Sequence, residues 1–90
     1  MPSVPKARTT SCEITYFPID SKNYLQDIDK VLEIIKTYPV TAEIGILSTT
    51  IQGSSKEVFD LLQEIYHTMD RENCNFTISV LLSNICGCDP

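Results

Sequence analysis

An α+β fold, four antiparallel strands with two helices on one face of the sheet, is predicted by three observations on this 90-residue chain. Short β-branched and aromatic runs alternate with two longer apolar stripes at helical period. Their order is strand, helix, strand, strand, helix, strand. The breaks between them fall at proline, glycine and capping residues. Two split βαβ units in that order most often close into one sheet, and right-handed crossovers put strand one beside strands three and four. This is the ferredoxin-like arrangement.

Residues 1–11, with Pro2 and Pro5, read as a flexible tail. The domain then runs over residues 12–85, with 86–90 as a C-terminal tail. Strand one is Cys12 to Pro18, closed by a proline that cannot donate to a ladder. Ser21 is placed to cap helix one, which spans about Lys22 to Lys36. Its apolar positions Tyr24, Leu25, Ile28, Val31, Leu32 and Ile35 form one stripe. Tyr38-Pro39 breaks it. Strand two covers about Val40 to Leu47, and strand three Thr49 to Gly53, with the reversal near Ser48. Ser54 and Glu57 have capping-box spacing at the start of helix two. Val58, Leu61, Leu62, Ile65 and Met69 then make the second stripe. Strand four is Phe76 to Asn84.

The formal charge is −5, from 12 acidic and 7 basic residues, and no Lys/Arg cluster is present. Nucleic-acid binding needs a basic surface that releases phosphate counterions, so this balance argues against it. A cationic small molecule is attracted instead. No apolar run reaches the roughly 18 residues of a membrane span. The N-terminus has no apolar core of a secretory signal, so the expected location is cytoplasmic. A chain this short buries only about two thirds of its unfolded surface, and a partner copy would help.

Several uses of such a fold fail on specific residues. A metallochaperone needs C-x-x-C after strand one, but the loop Ile19-Asp20-Ser21-Lys22-Asn23 has no cysteine. An acyl-phosphate hydrolase needs an arginine there, and none is present. An RNA-binding sheet needs aromatics on its central strands, and strand three has none. A catalyst needs an acid–base pair, which the lone His67 does not supply. Small-ligand binding has no obligatory motif and survives.

Five short patterns in register then point to one family. They are Cys12 with Phe17-Pro18, Tyr24 with Ile28, Ser48-Thr49 with Gly53, Val58-Phe59, and Leu82-Ser83. In this order and spacing the chain resembles the YkoF-type thiamine/hydroxymethylpyrimidine-binding proteins over about residues 12–85. The resemblance implies a non-enzymatic carrier or sensor of thiamine or its pyrimidine precursor, with that ligand and no cofactor. It also implies a homodimer or homotetramer, since only one copy of the unit is present. The alternative is an assembly domain that binds no small molecule.

Thiamine offers an aminopyrimidine edge and a cationic thiazolium, which call for hydroxyl partners and for a carboxylate or aromatic face. The ligand-binding candidates are accordingly Phe17, Tyr24, Glu43, Ser48, Thr49 and Ser83. Strand alternation puts Thr49 on the helix side with Ile51, and Thr50 and Gln52 on the other. Thr49 therefore bonds either a ligand or nearby backbone. Glu43 is either a counter-charge or an edge-strand charge that discourages aggregation. Phe17 and Tyr24 either sandwich a ring or pack at the mouth of helix one. Ser83 belongs to the site or to a polar outer sheet face.

The cysteines Cys12, Cys74, Cys86 and Cys88 lack C-x-x-C spacing for zinc. Antiparallel pairing puts Cys12 at the pole of Cys86 and Cys88, and Cys74 at the other. The readings are a thiolate cluster or disulfide at the first pole, or a buried Cys12 beside free tail thiols.

Overall fold

A computed structural model of the chain describes residues 9–85. Its elements are β1 (Thr10–Ile19), α1 (Tyr24–Lys36), β2 (Thr41–Ile44), β3 (Thr49–Gly53), α2 (Ser55–Arg71) and β4 (Asn75–Ser83). The sheet order is β2-β3-β1-β4, and every neighbouring pair is antiparallel. The ferredoxin-like α+β architecture is therefore present, with β1 between β3 and β4.

Local chemistry sets the boundaries, and several differ from the sequence reading. β1 runs through Pro18 rather than stopping there. Pro18 faces Phe76 of β4, whereas β3 follows β1 only as far as Ile14. The missing N–H thus has no strand beside it on the β3 side. Helix α1 is capped by Asn23, whose side chain accepts from the Gln26 amide at 3.1 Å. Ser21 is not the cap. It donates to the Asp27 carboxylate at 2.6 Å and accepts from the Asn23 amide.

β2 is much shorter than the expected 40–47 span. Past Ile44 the chain turns, and the Gly45 amide donates to the Ser48 carbonyl at 2.8 Å. A Cβ on Gly45 would lie 2.8 Å from that same carbonyl oxygen, so the turn requires glycine.

Ser54 caps α2 by accepting from the Glu57 amide, and its hydroxyl donates to the Glu57 carboxylate at 3.0 Å. The far end closes as a Schellman motif: Cys74 donates to the Met69 carbonyl and Asn73 to that of Asp70. Asn73 supplies the left-handed residue, with φ 60°.

The core lies between sheet and helices. Cys12, Ile14 and Ile51 fill it from the sheet, Val31 and Ile35 from α1, and Val58, Leu61, Ile65 and Met69 from α2. Tyr24 and Leu25 leave the expected α1 stripe and are exposed. Each fully buried aliphatic side chain contributes about 1.5–3 kcal/mol. Cys86 and Cys88 lie outside the described residues.

Candidate functional site

A cleft that joins both layers at the hairpin sits under α1. Ile28, Val31, Leu32 and Ile35 of α1 form its roof, one helical face at the period the sequence shows. Ile14, Thr15 and Tyr16 of β1 make the floor. The hairpin from Ile44 to Thr49 makes the third wall. The cleft holds about 140 Å³. A dry cavity of about 150 Å³ takes up a benzene ring, so the space matches one six-membered ring.

The gap lies where α1, packed mainly on β1 and α2, faces Ile44 of β2 across open space. Ile44, Thr49 and Ile14 form one row across three strands on the helix side. Ile14 is buried at 3% exposure, yet Ile44 at the edge is 53% exposed. The hairpin tip is more open still, with Ile46 at 101% and Leu47 at 84%. These two side chains stand as an apolar lip beside the cleft.

Thr15, Tyr16 and Thr49 border this apolar slot from the sheet. Thr49 is buried at 8% exposure and faces the helices with Ile51, the direction given by strand alternation. Tyr16 shares that face with Cys12 and Ile14, and its ring stacks on Phe76 at 5.3 Å. Its hydroxyl oxygen is buried with no hydrogen-bond partner among the described residues. Burial, reinforced by Cys74 once it ionises at alkaline pH and by the carboxylates of Asp27 and Glu72, pushes the Tyr16 phenol up to about 12. It therefore stays neutral and keeps a proton to donate.

The six residues proposed from sequence separate. Ser48 and Thr49 line the cleft; Phe17, Tyr24, Glu43 and Ser83 do not. Phe17 pairs with Thr77, and Glu43 with Thr50, on the sheet face turned away from the helices. Phe17 and Tyr24 thus project from different layers and form no sandwich. Ser83 lies opposite Ser11 at the far end of β4, where its hydroxyl accepts from the Ile85 amide. Glu13, on the outer face in the row with Thr50 and Glu43, accepts from the Ser48 hydroxyl at 3.2 Å. Among the described residues no carboxylate lines the cleft.

Tyr16 and Gly45 escaped the sequence reading. For Tyr16 the signal was available, since it lies two residues beyond Ile14 on the inward side of strand one. The role of Gly45 depends on a backbone approach that no pattern encodes.

A second, more polar depression lies at the other end of α1, between the β1–α1 loop and Cys74. There Asp27 accepts from Ser21, and the Cys74 thiol lies 4.0 Å from the same carboxylate. Burial first, then Asp27, raises the pKa of Cys74, which keeps it a thiol rather than a nucleophilic thiolate. Cys12 is buried in the core at 1% exposure. Among the described residues no group of three or more His, Cys, Asp or Glu is placed to hold a metal ion. No helix among them is long and apolar enough to cross a membrane.

Comparison with known proteins places these features. The sequence profile of the YKOF-related family matches residues 9–89. A crystal structure of a candidate thiamine biosynthesis/salvage protein from Thermotoga maritima superposes with a TM-score of 0.76. It is 20% identical, over 88% of this chain and 86% of that one. A domain of unknown function, DUF77, from Bacillus cereus gives 0.78 at 16% identity, over 94% of this chain and 84% of that one. A hypothetical protein from Methanocaldococcus jannascii gives 0.77 at 17%, over 91% and 86%. At these identities the structures share the fold. No curated protein matches the sequence.

Proposed function

The chain belongs to the YKOF-related family, and from that premise we propose that it binds thiamine or its hydroxymethylpyrimidine precursor in the cleft under α1, without chemistry. It serves as a carrier or sensor in thiamine uptake or salvage, as a homo-oligomer in the cytoplasm. The observation that carries the reading is a ring-sized aliphatic slot with the buried Thr49 at its sheet side.

The pyrimidine is the half that suits this slot. Its flat ring packs between the aliphatic roof and floor, and its polar edge meets hydroxyls. The thiazolium needs a counter-charge or an aromatic face, and among the described residues no carboxylate lines the cleft. It therefore extends past the hairpin lip, where the acidic surface of the protein attracts it only diffusely. The thiamine-linked description of the Thermotoga structure supports the ligand class.

Isothermal titration with hydroxymethylpyrimidine, thiamine and free thiazole decides the matter. The first two bind and free thiazole does not. Thr49→Val removes one hydrogen-bonding group and weakens binding by about tenfold, or about 1.4 kcal/mol. Absence of heat with either pyrimidine ligand at high micromolar concentration overturns the reading. The exposed hairpin tip would then favour the alternative, an assembly domain without a small ligand.

A further inference from the structure

Turn chemistry does not explain the tip of the β2–β3 hairpin. The Gly45 amide and the Ser48 carbonyl bracket two central residues, Ile46 and Leu47. Two-residue hairpins favour asparagine, aspartate or glycine there, since the preferred turns need a positive φ. Here both positions are large and apolar, and neither has a positive φ. Both side chains stand in solvent, at 101% and 84% exposure, yet both border the cleft under α1. A local rule broken at the rim of a site, with apolar area left in water, points to a second position for that area.

The hairpin is also weakly held. β2 is an edge strand of four residues, all exposed, and among the described residues it pairs with β3 alone. Its ladder ends at Ile44 opposite Thr49, so Gly45 to Ser48 extend beyond it. Few buried contacts secure such a segment, and local opening is correspondingly easy. A side-chain bond does hold the tip, from the side opposite the cleft. The Ser48 hydroxyl donates at 3.2 Å to Glu13, which faces away from the helices in the row with Thr50 and Glu43. The tip is thus tied toward the outer face of the sheet.

We infer that the tip is a lid and the Ser48–Glu13 bond its latch. With the latch broken, the tip swings about Gly45 and lays Ile46 and Leu47 over the mouth of the cleft, closing a bound ring off from water. This rests on the reading of the cleft as a pyrimidine site and adds how that site is covered. The open position keeps one exposed hydrogen bond and leaves apolar area in water. The closed position gives up that weak bond and buries the area. An occupant tips the balance, because the ring supplies a surface on which Ile46 and Leu47 pack. An empty cleft offers them only the roof, Ile28 and Leu32, across a gap. Latch and ligand therefore compete, and loosening the latch raises affinity. The Ser48 hydroxyl is engaged by Glu13, so its loss tightens binding.

The chain has no tryptophan, so Ile46→Trp introduces a single fluorescent reporter at the tip. Ile46 is fully exposed, so the fold should tolerate the change; circular dichroism checks this for every variant. Saturating hydroxymethylpyrimidine shifts the indole emission to the blue and lowers its quenching by acrylamide. Without ligand, Glu13→Ala in the same background lowers the quenching part of the way. Glu43→Ala, which removes the same charge from the same row, does not. In isothermal titration Glu13→Ala and Ser48→Ala each tighten hydroxymethylpyrimidine binding about threefold, while Leu47→Ser weakens it about tenfold. Heat of binding with unchanged emission and quenching overturns the lid and leaves the ligand reading intact. Absence of heat in every variant overturns the ligand reading, and the ligand-free arm then decides the lid: unchanged quenching in Glu13→Ala overturns it. Weaker binding by Ser48→Ala makes that hydroxyl a ligand partner, and an equal response to Glu43→Ala makes the effect one of charge. Either result overturns the proposal.

Discussion

The two helices pack on the same sheet, and only one of them packs tightly. On α2, Val58, Leu61, Ile65 and Met69 are all at 0% exposure, and Ile51 beneath them is also at 0%. On α1 only Val31 and Ile35 are buried, and the same helical face roofs an open cleft. The apolar stripes have comparable length in the sequence. The difference lies in what stands opposite each one. α2 rests across β3 and β1, whereas α1 meets β1 and overhangs the gap beside the hairpin. One half of the molecule thus supplies the fold, and the other holds the space in which a ligand is proposed to bind.

Truncation on the two sides should break or confirm this contrast most sharply. Leu61→Ala leaves a cavity among fully packed neighbours and should cost about 2–5 kcal/mol in denaturant unfolding. Leu32→Ala enlarges a wall already open to solvent and should cost roughly 1 kcal/mol or less, since fewer contacts are lost. Equal costs would remove the distinction.

A smaller effect is expected at the hairpin. Gly45→Ala forces a Cβ against the Ser48 carbonyl, which should cost about 1–2 kcal/mol and distort the cleft wall. Proton NMR shifts of Thr49 and Ile44 follow the distortion, and unchanged shifts would show that the turn absorbs it elsewhere.

The smallest effect has the opposite sign. Tyr16→Phe removes a buried hydroxyl without a partner among the described residues and should raise stability by about 1 kcal/mol. Because the folded-state pKa of Tyr16 is raised, the folded protein holds its proton where the unfolded chain releases it. Stability therefore falls between about pH 10 and about pH 12. Below that window the unfolding midpoints of wild type and Tyr16→Phe should differ by a constant offset, and the gap should widen as pH rises through it.

Much of this was legible in the residues. The capping pair Ser54 and Glu57, the α2 stripe and the helix-side direction of Thr49 each follow from a local period or spacing. Asn23 displaced Ser21 as the cap because two side chains competed for one helix end, and the loser found Asp27. β2 came out short because a glycine approach ended the ladder where β propensity continued through Ile46-Leu47. Phe17 was expected to sandwich a ring with Tyr24, and Ser83 to join the site by family pattern, yet strand pairing turns Phe17 to the outer face and puts Ser83 at the far end of β4.

By itself the sequence determined the order of elements, the face of each strand and helix, and the acidic, arginine-poor character that excludes several functions. These are matters of period, capping and charge, which act over a few residues or over the whole chain. Only the tertiary structure decided that α1 leaves a ring-sized gap beside the hairpin, that the Tyr16 hydroxyl is buried without a partner among the described residues, and that Val80 and Leu82 stay partly exposed beside α2. Those facts depend on how far one element reaches over another, and a packing distance between segments distant in the chain is written in no single stretch of it.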